Sequence, residues 1–453
     1  MATTLNLDVL TQIPWFCART TVLALMQASR IFRSECAKWL LAEEVILKDF
    51  SQLDSFLLFI NADGRRRYRF LHAPRLLLLC PPLSVSKRFL DSIPYMTNLR
   101  SLAIPNHSGQ LLEIDPPLAS AFSSLQSLRS IQLGITGPNG LSLLQTSRAE
   151  VRTLNLDVYV YDSFHDPVTA LQHLGPTLEE MRCSTWPVGQ AVVTRALYPR
   201  MRKFEIECWS LLYISQLIHA FPNLAHLSVT TASSTRLTDV QSVLHHSRNV
   251  EDQISGGTWQ VLERFTGNPR DLYLLGICCP IRELSLVAIN QEVLRFLYPA
   301  LTRARPTELK LSLSPEALLN DEAFIAAMHQ DAFSGLRSLS LEVTFVQIDY
   351  LDADLQAIFA NFLSAVREMH ISRLTFKFVP GPSWSVYCLN FIYGIATRHE
   401  SMLRAFCHHV VDQVPSLEIL ELSGVRLPGT DGVKARLERM SNGPSHYVYT
   451  APT

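Results

Sequence analysis

Apolar and polar positions recur along this chain as one short phrase. Its clearest copy is Phe221-Pro222-Asn223-Leu224-Ala225-His226-Leu227-Ser228-Val229. A turn at Pro-Asn is followed by Leu-x-x-Leu-x-Val, whose last three positions alternate apolar, polar, apolar. Alternation with a period of two marks a short strand that buries one face. The phrase returns as Met96–Ile104, Tyr198–Ile206 and Phe333–Leu341. Weaker copies lie at Leu128–Leu133, Val151–Leu156, Leu178–Cys183, Ile281–Leu286, Thr307–Leu311, Ile371–Phe376 and Leu417–Leu422.

From Leu99 through Leu128, Val151, Leu178 and Met201 to Leu224 the steps are roughly 23 to 29 residues, the length of leucine-rich repeats. One strand and one short helix fill that length. Leu211, Ile214, Leu217 and Ile218 fall at helical spacing before Phe221, and Leu237, Val240, Val243 and Leu244 do so after Val229. Both sets predict a helix with its apolar side on the sheet. A lone unit cannot bury its leucines, so each completes its core against the next. The fold class expected is therefore α/β: a leucine-rich-repeat solenoid, with a curved parallel sheet and outer helices, preceded by a small all-helical unit. An ordinary doubly wound sheet would give no reason for the phrase to recur.

The domain organisation expected is a helical unit at 1–42, a connecting strand and helix at 43–95, irregular repeats at 96–435 and a tail at 436–453. In the first unit, Leu5, Val9, Leu10 and Ile13 form a short amphipathic entrance, and Thr20-Thr21 offers an N-cap hydroxyl. After it Val22, Leu25, Met26, Ser29, Phe32, Cys36, Trp39 and Leu40 hold one face of a helix of about five turns. Glu43–Lys48 reads as a first strand, Leu53, Phe56, Leu57 and Ile60 as a helix, and Pro74–Pro82 as another strand and a stop. Pro105–Pro117 and Asp252–Asp271, rich in Gly and Pro, read as irregular insertions. Met440–Pro444 reads as the end of order.

Composition narrows the function. Hydrophobic residues are 47% and charged residues 18%, which suits a leucine-filled array and excludes extended disorder. A formal net charge of -1 provides no field for nucleic acid or anionic lipid, so neither is expected as a partner. The one dense basic run, Arg65-Arg66-Arg67-Tyr68-Arg69, has no second cluster to extend it and reads as a solvated helix start rather than an RNA contact. The N-terminus has no basic region ahead of an apolar core, and Arg75–Pro81 is too short to span a bilayer. A location in the cytoplasm, the nucleus or both is expected. The nine cysteines, without a C-x-x-C, suit buried thiols rather than a disulfide framework.

Catalytic signatures are missing from the sequence: it contains no G-x-S-x-G, no Walker loop, no G-x-G-x-x-G and no H-E-x-x-H. His245-His246 and Cys407-His408-His409 are adjacent pairs, and neighbours on a helix point about 100° apart, a poor metal geometry. No cofactor and no metal are expected, and the chain reads as a binding protein rather than an enzyme.

The N-terminal segment resembles an F-box, whose pattern is Leu-Pro-x-Glu-Ile-Leu-x-x-Ile followed by Asp-Leu-Leu-x-Leu-x-x-Val-Ser-Arg-x-Phe-Arg. This chain has Leu5-Asn6-Leu7-Asp8-Val9-Leu10-Thr11-Gln12-Ile13 and Thr21-Val22-Leu23-Ala24-Leu25-Met26-Gln27-Ala28-Ser29-Arg30-Ile31-Phe32-Arg33. Asn6 replaces the proline, Thr21 the acid and Ala28 the valine. With the repeats, the whole chain resembles the F-box proteins with irregular leucine-rich repeats found in fungi. The resemblance implies a substrate receptor of a cullin-RING ubiquitin ligase of the SCF type. Leu5, Val9, Leu10, Ile13, Val22, Leu25, Met26 and Phe32 would meet the Skp-type adaptor, and through it a cullin. The alternative is a repeat scaffold without a ligase role, in which these helices only cap the first repeat.

The period of two also nominates a surface for the protein substrate. If Leu227 and Val229 point inward, His226 and Ser228 point outward, as do their counterparts. Those outward positions are Ser101 and Ala103, Ser130 and Gln132, Thr153, Asn155, Asp157, Glu180, Arg182, Lys203, Glu205, Glu207 and His226. Early and late copies, such as Ser338 and Ser340, are small and neutral. The charged middle, Asp157, Glu180, Arg182, Lys203, Glu205, Glu207 and His226, is the candidate substrate face.

Overall fold

The computed structural model describes residues 11–61, 72–79, 87–105, 111–112, 114–158, 167–186, 197–208, 211–231, 237–319, 321–328, 333–345, 355–380, 400–423, 434–438 and 446–450. Leu5, Val9 and Leu10, and the Arg65–Arg69 run, lie outside the described residues. The chain divides into two units, one of residues 1–209 with 220–223 and the other of 210–219 with 224–453.

In the first unit two helices, α1 (Arg19–Ala28) and α2 (Arg30–Ala42), precede the sheet. The periodicity predicts one helix here, and the structure breaks it at Ser29, whose backbone is extended. The Ser29 hydroxyl accepts from the amide of Phe32 at 3.2 Å and caps α2, whereas α1 starts after Ala18 with Thr20 and Thr21 inside it rather than at its N-cap. A serine here can satisfy an amide that the next turn leaves open, which lets the chain restart as a second helix.

Strands β1 (Glu44–Leu47), β2 (Arg75–Leu78), β3 (Ser101–Ile104), β4 (Ser130–Thr136), β5 (Thr153–Val158), β6 (Glu180–Trp186) and β7 (Lys203–Cys208) follow in chain order, each pairing parallel with the next. Helix α3 (Phe50–Asn61) buries Leu53, Leu57 and Ile60 at helical spacing, and α4 (Pro116–Ser123) packs on α5 (Pro138–Thr146). The register sets like residues side by side. Leu102, Ile131, Leu154, Met181 and Phe204 form one inward row, and Ile104, Leu133, Leu156, Cys183 and Ile206 the next. All ten are buried. A single-residue slip would expose both rows at once, so apolar burial holds the register.

In several phrases the polar residue before the leucine has its own structural reason. Ser127 Oγ donates to the Leu99 carbonyl at 2.7 Å, Thr177 Oγ1 to that of Val151 at 2.9 Å, and Asn223 Nδ2 to that of Pro199 at 2.9 Å. Each turn is thereby bonded to the turn one repeat earlier, satisfying a carbonyl that the sheet leaves open.

The second unit repeats the plan. Helix α6 (Ile214–Ala220) is followed by β8 (His226–Thr231), α7 (Asp239–Gly256), β9 (Leu262–Gly267), α8 (Pro269–Leu275), β10 (Ile281–Ile289), α9 (Leu297–Ala304), β11 (Glu308–Leu313), β12 (Ser338–Phe345), α10 (Leu355–Val366), β13 (Arg373–Pro380), α11 (Glu400–Gln413) and β14 (Ile419–Ser423). These strands pair parallel in order, with Leu227, Phe265, Leu284, Leu309, Leu339, Leu374 and Leu420 in one buried row. Two antiparallel strands, β15 (Lys434–Glu438) and β16 (His446–Thr450), continue the sheet where the sequence reads as a tail.

Three expectations are corrected. Asp252–Asp271 is no irregular insertion: it contains the end of α7, all of β9 and the start of α8. Asn268 caps α8 by accepting from the Arg270 amide at 2.8 Å, which explains its Gly-Asn-Pro sequence. The face of α7 is also inverted. Val240 is 68% and Leu244 65% exposed, and Val243 is exposed with them, while Ser242, His245, Asn249 and Gln253 are buried. Asn249 explains the inversion. It donates to the carbonyls of Leu212 (3.1 Å) and Leu274 (2.8 Å) and accepts from the amide of Ile214 (3.2 Å). Gln253 Nε2 donates to the Gly276 carbonyl at 2.8 Å, and its Oε1 accepts from the Cys278 amide at 3.0 Å. Helix ends beside α7 need these partners more than they need aliphatic contact.

The third correction concerns Ala103, which stands in the outward row by register but is covered there, so it offers no open surface to a partner.

Candidate functional site

The backbone register assembles the outward residues of the first unit into rows. Ser101, Ser130, Thr153, Glu180 and Lys203 form one row, and Ala103, Gln132, Asn155, Arg182 and Glu205 the next. Asp157 stands beside Ser184 in a third. Glu205 is at the centre of the charged part. Its carboxylate lies 2.7 Å from Lys203 Nζ and 3.7 Å from Arg182 Nε, with Arg182 well exposed. Glu180 and Glu207 are exposed and Asp157 half-buried. With both cations drawn to Glu205, the excess charge of this group is negative, carried by Asp157, Glu180 and Glu207.

His226 belongs to the second unit, where its Nε2 lies 3.4 Å from Glu263 Oε2. The outward rows there are charged as well, which the sequence reading did not expect. His226, Arg264, Glu283, Glu308, Ser338 and Arg373 share one row. Arg264 Nη2 contacts Glu283 at 2.6 Å, and Lys310 lies 3.7 Å from Glu342. The serines Ser338 and Ser340 are neighbours of charged positions rather than part of a neutral end. Exposed pairs of this kind contribute about 0 to 1 kcal/mol each, so these charges do little for the fold.

On the helical unit the residues nominated for adaptor contact divide. Val22 is fully buried and belongs to the packing of the unit, together with Cys36, Ala37 and Leu41. Ile13, Leu25, Met26 and Phe32 are half-buried. The apolar groups open to solvent are others: Trp15, Phe16, Leu23 and Ile31, with Phe16 86% exposed. Helical spacing identified an apolar face without its direction. Trp15 and Phe16 lie on a short 3-10 turn, Ile13–Phe16, where no helical period points to them.

Burial pushes the Cys36 thiol up and His72 down in the first unit, and the other groups with perturbed protonation are buried in the second unit. Burial pushes His245 below the usual histidine value, partly offset by its contact with the Leu212 carbonyl at 3.0 Å. His246 is lowered for the same reason and stacks on Tyr273 with ring centroids 4.2 Å apart. Burial pushes the Asp271 carboxyl up, against hydrogen bonds from the Thr231 hydroxyl and amide. The cavity between them, lined by Leu212, Val229, Thr231, His245, Asp271 and Leu274, has about 10 Å³, room for one water at most. No substrate fits there: Asp271 ties α8 to β8 through Thr231, while His245 and His246 join α7 to the carbonyls of Leu212 and Tyr273. Burial also raises the thiols of Cys279 to about 11 and of Cys407 to about 12, which makes both poor nucleophiles.

The larger opening is a cleft of about 330 Å³ on the first unit, lined by Asp54, Leu57, Leu58, Asn61, Arg88 and Asp91. Both signs of charge meet there. No group of three or more His, Cys, Asp or Glu residues suited to a metal occurs among the described residues. His408 and His409 are exposed on α11 while Cys407 is buried, so the three side chains do not converge. Among the described residues no helix is long and apolar enough to cross a membrane. No family model matches the sequence, and no curated protein matches it either.

Proposed function

We propose that this chain is the substrate-recognition subunit of an SCF-type E3 ubiquitin ligase, working in the cytoplasm or nucleus. Its N-terminal helices bind a Skp-type adaptor, and an irregular leucine-rich-repeat array holds the protein substrate. It has no catalytic site of its own and raises the concentration of substrate beside the ligase. The observation that carries the reading is the helical unit that keeps Trp15, Phe16, Leu23 and Ile31 in solvent. Exposed aromatic groups on a small unit are the residue types that anchor protein interfaces. The adaptor contact is then Trp15, Phe16, Leu23 and Ile31, flanked by Ile13, Leu25, Met26 and Phe32, with Val22 left in the core.

Co-purification of the full chain with a Skp-type adaptor tests this. Phe16→Asp and Leu23→Asp each abolish capture while circular dichroism stays unchanged. An adaptor that fails to bind the parent chain, or binds both variants equally, refutes the ligase role. The substrate arm is tested separately by reversing Arg182, Lys203 and Glu205 together, which abolishes substrate capture and leaves adaptor binding intact. Burial of Val22, Cys36, Ala37 and Leu41 favours the second reading, a repeat scaffold whose helices only cap the array.

A further inference from the structure

The turns that lead into β3 to β7 carry six arginines, Arg100, Arg129, Arg148, Arg152, Arg200 and Arg202, against two carboxylates, Glu150 and Glu179. Backbone bonds place four of the arginines on one row. The amides of Arg129 and Ser130 donate to the Arg100 carbonyl at 2.7 and 2.9 Å, and those of Arg152 and Thr153 to the Arg129 carbonyl at 2.7 and 3.0 Å. The amides of Glu179 and Glu180 donate to the Arg152 carbonyl at 2.8 and 2.9 Å, and those of Arg202 and Lys203 to the Glu179 carbonyl at 2.8 and 3.2 Å. The row runs Arg100, Arg129, Arg152, Glu179, Arg202, with neighbours about 4.8 Å apart, the spacing of strands in a sheet. Like charges on adjacent strands disfavour the fold. Three arginines in succession therefore ask for a reason outside the fold.

Two of these guanidinium groups are held in place along one edge. Arg129 Nη1 donates to the carbonyls of Leu128 at 3.2 Å and Glu150 at 3.4 Å, and Arg202 Nη1 to that of Asn223 at 3.2 Å. A guanidinium has five donors in a fixed fork, so donors remain for an outside acceptor. The internal carboxylates bind loosely. Glu150 lies 3.5 Å from Arg129 and Glu179 3.7 Å from Arg152, longer than the roughly 2.7 to 2.9 Å of a charge-assisted hydrogen bond. The side chains of Glu150 and Arg152 are 67% and 54% exposed. Such pairs exchange readily for better acceptors.

We propose that this edge docks an acidic peptide segment of a partner protein. Its carboxylates displace Glu150 from Arg129 and Glu179 from Arg152, and reach Arg100. A peptide fits better than a nucleic acid because Glu179 interrupts the row. A peptide can place a neutral residue opposite that carboxylate, whereas a phosphate backbone carries charge at every unit. The net charge of -1 likewise gives no long-range attraction for nucleic acid. The surface is independent of adaptor binding by the N-terminal helices.

Fluorescence anisotropy with the full chain tests the proposal, using fluorescein-labelled octaglutamate as probe and decathymidylate as competitor class. Arg100→Gln with Arg152→Gln removes two guanidinium groups from the row and leaves in place Arg129 and Arg202, which hold backbone carbonyls. The double variant weakens octaglutamate binding about tenfold, the loss of two modest exposed contacts, and the affinity falls with salt. Arg282→Gln with Arg337→Gln, in the second unit, leaves it unchanged. Failure of the parent chain to bind octaglutamate overturns the proposal, as does equal binding by the first double variant. Tighter binding of decathymidylate, lost in that same variant, overturns it in favour of a nucleic-acid surface.

Discussion

Replacing Asn249 by alanine removes the side chain on which the inverted face of α7 depends. The amide group is fully buried and bonds the Leu212 carbonyl (3.1 Å), the Leu274 carbonyl (2.8 Å) and the Ile214 amide (3.2 Å), with His245 Nε2 also 3.2 Å from its Nδ2. After truncation the Leu212 carbonyl keeps His245 at 3.0 Å, while the Ile214 amide and the Leu274 carbonyl lose this partner. Each buried group left without a bond costs about 1 to 3 kcal/mol, so the variant loses about 2 to 6 kcal/mol. A chain of two units need not unfold in one step, so amide hydrogen exchange in α6 and α8 is the proper readout. Exchange there accelerates in Asn249→Ala and stays slow in the first unit. Leu244→Ser, on the exposed side of α7, changes stability by no more than about 0.5 kcal/mol. The reverse outcome, a silent Asn249→Ala and a Leu244→Ser that opens the second unit, would show that α7 packs its aliphatic side inward.

Further expectations follow from the same packing. Gly134→Ala destabilises strongly, because a Cβ there would stand 1.4 Å from the Pro105 carbonyl oxygen; a thermal melt that overlays the parent would refute the close approach. Leu227→Ala costs about 2 to 5 kcal/mol by opening a cavity between stacked strands, read as a lower urea midpoint for the second unit. With its folded pKa lowered by burial, His245 contributes stability present above the ordinary histidine value, and that stability is lost as pH falls through the folded value. Asp271 is raised and acts oppositely, its contribution present at low pH and lost as pH rises through its folded value. Urea melts of parent and His245→Gln between neutral and mildly acidic pH separate the two, since the variant flattens only the histidine part.

The strands were legible because burial on one side imposes a period of two that neighbouring phrases share. β9 escaped because Leu262-Glu263-Arg264-Phe265 places two exposed residues between its buried ones, so alternation fails at its start. α7 was found but turned the wrong way, since hydropathy assumes that polar groups seek water and here they seek the open carbonyls and amides of α6 and α8. The charged stripe from Glu180 to Glu205 was readable as outward positions, yet its pairing through Glu205 depends on side-chain reach that spacing does not give. Trp15 and Phe16 carried no periodic signal, and the leading half of the F-box-like pattern at Leu5–Leu10 falls outside the described residues.

Pairing of each strand with the next within a unit has a consequence for how the protein is made. β1 meets a strand that begins at Arg75, and even the widest parallel step, from β13 to β14, joins Arg373 to Ile419. Among the described residues no parallel strand within a unit waits for a partner encoded far downstream. As the chain leaves the ribosome from its N-terminus, each new strand can dock on one already in place, and the two antiparallel strands at Lys434–Glu438 and His446–Thr450 close the sheet last. Synthesis order and sheet order coincide, so a chain stalled midway would present one unfinished edge rather than a scattered core, and that edge is the surface a chaperone would have to shield.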